Sequence, residues 1–124
     1  MKDGKHVILC VDDDPDILSY LKVVLKGEGY EVVDAPSAEE GLKRYEECDP
    51  DALIVDLMME EVDSGASFVK DLRARGNQAP VYMLSSTGDN LNLATDVSAL
   101  GLAGVFQKPL SKNRLLTILR NKLG

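Results

Sequence analysis

The sequence has only two cysteines and no long hydrophobic run, and each shortage removes a class of protein from consideration. Cys10 sits inside an apolar run and Cys48 just before Asp49-Pro50, without the C-x-x-C spacing of a metal or redox site. Two thiols are also too few for a disulfide scaffold. The N-terminal apolar stretch, Val7 to Val11, runs straight into Asp12-Asp13-Asp14, so it is too short for a signal-peptide core or a membrane span. A cytoplasmic protein without membrane contact is expected. Basic clusters are missing as well. With 21 acidic against 14 basic side chains the formal charge is −7, which repels nucleic acid and anionic lipid. The cations that exist (Lys22 and Lys26, Lys43 and Arg44, Arg73 and Arg75) are scattered as on solvated helix faces, so no direct nucleic-acid binding is expected. No glycine-rich phosphate loop follows the first apolar run, where three aspartates would repel phosphate, and this argues against nucleotide or flavin binding. The lone His6, at the start of that run, is assigned no role.

What is present is a chain of 124 residues with a near-average globular composition, read as one domain over residues 1–124 that is large enough to bury a core. Short apolar runs alternate with helical patterns five times. The expected strands are Val7–Val11, Tyr30–Val33, Ala52–Val55 ending at Asp56, Val81–Leu84 and Gly104–Gln107. Asp14 and Pro15 open a first helix with Ile17, Leu18, Leu21, Val24 and Leu25 on one face, and Gly27 and Gly29 stand ready to end it. Ser37 and Glu40 have the spacing of a capping box before a second helix. Phe68, Val69 and Leu72 mark a third that follows a loop reaching about Gly65. Residues 88–100 form a weaker fourth, and Ser111 caps a last helix carrying Leu115, Leu116, Leu119 and Leu123. Strands joined by helical crossovers imply a doubly wound (βα)₅ sandwich with a five-stranded parallel sheet. The flavodoxin-like order 2-1-3-4-5 is one common solution, and it places ligands at the carboxyl ends of strands 1 and 3.

Those strand ends carry Asp12 and Asp13, Asp56, Ser85 and Lys108. Each alone is an ordinary turn or cap residue. Together they are a problem in electrostatics, because converging carboxylates repel by roughly 4 kcal/mol per pair at about 4 Å and an effective dielectric near 20. A hard cation such as Mg²⁺, which takes one or two carboxylates plus phosphate oxygens, offsets that repulsion, and a lysine ammonium adds a second positive charge. A carboxylate in such a setting can attack phosphorus to form an aspartyl phosphate. In this reading Asp12 and Asp13 hold Mg²⁺, Asp56 is the nucleophile, Lys108 pairs with the phosphoryl group and the Ser85 hydroxyl donates to it.

Four segments in order, Val11-Asp12-Asp13-Asp14-Pro15, Ile54-Val55-Asp56-Leu57-Met58-Met59, Pro80-Val81-Tyr82-Met83-Leu84-Ser85-Ser86 and Phe106-Gln107-Lys108-Pro109, make the chain resemble the receiver domain of two-component response regulators over nearly its whole length. The resemblance implies a phosphoacceptor at Asp56, an acidic pair at Asp12 and Asp13, a metal ligand from the Met58 backbone carbonyl, a switch hydroxyl at Ser85 and a phosphate-pairing Lys108. It implies a sensor histidine kinase or histidine phosphotransfer protein as donor, a downstream protein or effector domain as target, and a signalling role rather than an enzymatic one. The switching surface would be the face of the fourth helix, fifth strand and fifth helix, shifted in population by one new doubly charged group.

The sequence departs from that family in several places. Glu60 replaces the usual proline, the stretch from Glu60 to Gly65 is one residue longer, and Val105 stands where an aromatic commonly swings inward. Phe106 points to the opposite strand face and is read as core. Met58 and Thr87, at positions that tune phosphate lifetime, are neither carboxylates nor amides that would position water, so slow self-dephosphorylation is expected. An aspartyl-phosphate phosphatase of the haloacid-dehalogenase type would want a second Asp where Met58 stands. A phosphorylation-independent interaction module with the same fold is the remaining alternative, and the intact acidic pair, Asp56 and Lys108 argue against it. The chain ends at Gly124, just past the last helix, so no effector domain is expected on it, whether it is a stand-alone regulator or a piece of a larger one.

Overall fold

Short apolar runs form the strands of a computed structural model whose described residues are 4–56, 64–85, 101–108 and 110–123. They are β1 (Val7–Val11), β2 (Glu31–Ala35), β3 (Ala52–Asp56), β4 (Val81–Ser85) and β5 (Gly104–Gln107). All neighbours pair in parallel, in the order β2-β1-β3-β4-β5, as expected. β1, β3 and β4 are buried at every position, because helices cover both faces of a parallel sheet and leave no polar side for the pattern to alternate with.

The helices are α1 (Pro15–Gly27), α2 (Ala38–Cys48), α3 (Ser64–Ala74) and a C-terminal helix, Lys112–Leu123. At the start of α1, Asp14 accepts from the Asp16 N–H at 2.9 Å and Pro15 occupies the first turn, where its missing N–H costs nothing. Ser37 caps α2 by accepting from the Glu40 N–H at 3.2 Å. Ser111 Oγ accepts from the Arg114 N–H at the head of the C-terminal helix. Each cap satisfies an N–H that the helix itself leaves unpaired.

Alternation along the strands divides the interior into two layers. Ile8, Cys10, Ile54, Leu84 and Phe106 pack with Leu21, Leu25, Leu115 and Leu119, under α1 and the C-terminal helix. Leu9, Val11, Leu53, Val55 and Met83 pack with Phe68, Val69 and Leu72, on the side of α3. Phe106 is core as expected, 5.4 Å from the Tyr82 ring, while Val105 lies half-buried against the opposite layer.

Two strands differ from their expected bounds. β2 starts and ends later than Tyr30–Val33, because the Tyr30 N–H turns back to the Leu25 carbonyl as part of the exit from α1 and the pairing with β1 runs on to Val11 opposite Ala35. β4 extends one residue beyond Leu84, since Ser85 pairs with Gln107. The helix expected over 88–100 lies outside the described residues, as do Glu60, Thr87 and the Met58 carbonyl.

Candidate functional site

The two layers fix where the residues at and just past the strand ends go. Asp12 and Asp56 continue the alternation of Cys10 and Ile54, and Lys108 that of Phe106, so all three fall on the side of the sheet that α1 and the C-terminal helix cover. Ser85 has the parity of Met83 and belongs to the other side. Parallel strands bring these ends to one edge of the sheet, and β1 and β3 are direct neighbours there.

Asp12, Asp13 and Asp56 each offer a carboxylate oxygen, and these oxygens lie within 4.8 Å of one another. Asp12 is wholly buried and Asp56 nearly so, whereas Asp13 is exposed. The Asp12 backbone is held by its N–H to the Ala35 carbonyl at 3.1 Å, and its Oδ1 accepts from the Asp14 N–H at 2.9 Å. The other oxygen, Oδ2, accepts no hydrogen bond among the described residues. It lies 3.3 Å from Lys108 Nζ, and the same Nζ is 3.4 Å from Asp56 Oδ1. One ammonium therefore bridges two buried carboxylates.

The charges perturb one another accordingly. Burial lifts the Asp12 carboxyl above its ordinary value, against the opposing pull of the Asp14 N–H and the Lys108 ammonium. For Lys108, burial alone would favour the neutral amine, but Asp12 and Asp56 outweigh it and leave the ammonium harder to deprotonate than usual. A buried carboxylate whose pKa stays raised although an ammonium lies beside it is under-compensated. Three hard oxygen donors in that condition suit a small divalent cation such as Mg²⁺, which is content with carboxylates and retained waters.

Ser85 is buried, and its carbonyl accepts from the Lys108 N–H at 2.8 Å. The lysine is thus tied by its backbone to the end of β4 and by its side chain to the ends of β1 and β3. That tie, like the Ala35 carbonyl behind Asp12, runs through the main chain and has no signature in residue type. Asp12, Asp13, Asp56 and Lys108 converge as the sequence suggests, and Ser85 reaches the same edge.

Residues 8–120 match the family model of the response regulator receiver domain. Among curated proteins the chain is similar to the transcriptional regulatory protein TrcR of Mycobacterium tuberculosis, with 28% identity over 98% of this chain and 47% of TrcR. It is also similar to the alkaline phosphatase synthesis transcriptional regulatory protein PhoP of Bacillus subtilis, with 33% identity over 84% of this chain and 42% of PhoP. The chain thus spans less than half the length of these relatives. Among solved structures, the chemotaxis protein CheY4 of Vibrio cholerae superposes with a TM-score of 0.86 at 30% identity, covering 97% of this chain and all of that one. Among the described residues no helix is long and apolar enough to cross a membrane.

Proposed function

The chain belongs to the response regulator receiver domain family, and from that premise we propose that Asp56 is its phosphoacceptor, phosphorylated in a Mg²⁺-dependent transfer from a histidine kinase or histidine phosphotransfer protein. The observation that carries the assignment is the placement of Lys108 Nζ, 3.4 Å from Asp56 Oδ1 and 3.3 Å from Asp12 Oδ2. A nucleophilic carboxylate beside a fixed ammonium has a partner for the charge of the incoming group, already oriented before the reaction.

Asp12, Asp13 and Asp56, with the Met58 carbonyl, would hold Mg²⁺, which supplies charge neutralisation for the phosphoryl oxygens. Asp56 directs its carboxylate oxygen at phosphorus from a nearly dry position, where few waters compete for the same attack. Asp12, held by Asp14 and Ala35, keeps its second oxygen beside the Lys108 ammonium. Lys108 then exchanges part of its contact with Asp56 for a phosphoryl oxygen. The Ser85 hydroxyl donates to another, and the Ser85 carbonyl couples that movement to β5 through the Lys108 N–H. The readout would be the face of the fourth helix, β5 and the C-terminal helix, by a population shift that one doubly charged group drives. Met58 and Thr87 stand at the sequence positions that tune phosphate lifetime in the family, and with neither a carboxylate nor an amide there the phosphate would be lost slowly.

Incubation with acetyl phosphate and Mg²⁺, followed by intact mass, tests the assignment. A single phosphoryl adduct is expected on the parent and none on Asp56→Asn. Equal labelling of both proteins would remove Asp56 from the role, and an adduct that decays within seconds would remove the slow-loss reading alone.

A further inference from the structure

Ser85 and Gln107 are partners in the β4–β5 ladder, so their side chains leave neighbouring strands, about 4.8 Å apart, on the same face of the sheet. The register is pinned at this point, because the Lys108 N–H donates to the Ser85 carbonyl at 2.8 Å and a slip of one residue would break that bond. The other described strand residues around Ser85 on this face, Val55, Met83 and Val105, are apolar. Ser85 is buried, whereas Gln107 is exposed. A polar side chain with freedom to move therefore stands next to a polar side chain that lacks it.

A hydroxyl has one proton to give and two lone pairs with which to receive. When the Ser85 proton goes to a phosphoryl oxygen, Oγ stays in a position that water hardly reaches, and an acceptor without a donor there forgoes a hydrogen bond. Val105 has no polar atom to supply one. The Gln107 carboxamide carries two N–H donors at the end of a flexible stem, and it can be drawn from solvent onto Oγ while the ladder keeps its register. Donation into Oγ also makes the hydroxyl a better donor to the phosphoryl oxygen, because hydrogen bonds in a chain polarise one another.

We propose that Gln107 is a positioning residue for the Ser85 hydroxyl, its carboxamide N–H donating to Ser85 Oγ once that hydroxyl donates to a phosphoryl group on Asp56. The inference rests on the reading of Asp56 as phosphoacceptor and Ser85 as switch hydroxyl. Gln107 acts through Ser85 and not on the phosphoryl group itself, since β4 lies between β3, which carries Asp56, and β5. Occupancy of the acceptor is thereby passed to an exposed side chain of β5.

The test holds the chain in Mg²⁺ and excess acetyl phosphate, with the adduct fraction read by intact mass. Exchange of the Gln107 carboxamide protons with water is followed by NMR, their resonances being assigned by their absence from Gln107→Met. Phosphorylation of the parent should slow that exchange about fivefold, the protection that one hydrogen bond gives. With results scaled to the adduct fraction, Ser85→Ala should show no slowing. Gln107→Met keeps a flexible stem of similar length but has no N–H to donate, and its backbone amide shifts at Val105 and Phe106 should be about half those of the parent or smaller. Gln107 is exposed and Ser85→Ala removes a single oxygen, so both variants fold. Slowing that persists in Ser85→Ala would show the carboxamide serving the phosphoryl group directly and would overturn the proposal, as would shifts in Gln107→Met equal to those of the parent. An adduct on the parent beside unchanged carboxamide exchange sinks this inference alone, whereas no adduct on the parent sinks the Asp56 assignment with it.

Discussion

A single ammonium between two buried carboxylates makes the site sensitive to the loss of any one charge. Removing Lys108 as Lys108→Met takes away the ammonium that Asp12 and Asp56 share, and breaking a buried pair in this way costs about 3 kcal/mol, less whatever water reaches the partly open end. The sign of the pH dependence follows from Asp12, whose folded pKa is raised. Between its unfolded and folded values the native state holds more protons than the unfolded one, so stability falls as pH rises through that window. The variant loses the cation that restrains this rise and widens the window upward. Thermal melts in EDTA should therefore show a larger deficit against the parent at about pH 8 than at about pH 5. A deficit independent of pH would mean that the lysine acts by packing its stem rather than by charge. Residue identity announced these partners, because Asp and Lys after strands are visible in the sequence. What it did not announce is the inequality between Asp12 and Asp13, which are adjacent in sequence but buried and exposed respectively, since only strand parity decides that.

At the level of elements, α2 approaches the sheet more closely than its composition suggests. A Cβ at Gly41 would stand 2.9 Å from Phe68 Cε1 and 3.0 Å from Val11 Cγ2, so the helix rests on an aromatic ring and a β-branched side chain. Two effects of Gly41→Ala oppose each other. Helix propensity alone gains about 1 kcal/mol, while inserting a methyl into a packed contact costs about 1–3 kcal/mol. The ring belongs to the buried core and cannot swing into solvent, so the cost should prevail and the variant should melt several degrees lower. A rise in melting temperature would show that α2 lifts freely. Ser37→Ala, which removes only the cap at the head of the same helix, should cost about 1 kcal/mol by chemical denaturation without altering the site.

The same elements show how far pattern alone reaches. β1, β3 and β5 could be delimited from apolar runs, and the caps of α1 and α2 from Asp14-Pro15 and Ser37. β2 was displaced because Asp34 and Ala35 have low strand propensity. They are strand residues only because β1 pairs beside them and Lys22 of α1 reaches Asp34 at 2.9 Å. Such a partner lies outside any local window. Gly41 likewise reads as a weak point in a helix until the ring of Phe68, distant in sequence, is seen beneath it.

Across the whole molecule, acidic charge concentrates at one end of the sheet. The carboxyl ends of the strands carry three converging acids in a chain already at −7. Folding alone must hold the acidic pole together against its own repulsion, and only part of that repulsion is relieved by Lys108. A divalent cation that binds the folded cluster and not the unfolded chain adds stability as RT ln(1 + [L]/Kd), about 2.7 kcal/mol at a hundredfold excess over Kd. Mg²⁺ should therefore raise the melting temperature by roughly 10 °C at that excess, and the gain should grow with the logarithm of concentration. Asp13→Asn separates metal binding from general salt effects, because Asp13 is exposed and supports no core contact. Without metal, the variant should melt at or slightly above the parent, since one repelling charge is gone. With Mg²⁺, it should lose most of the increment, while sodium chloride at matched ionic strength moves both proteins equally. An increment retained in full by Asp13→Asn would place the cation elsewhere on this acidic surface, and the three carboxylates would then no longer account for it.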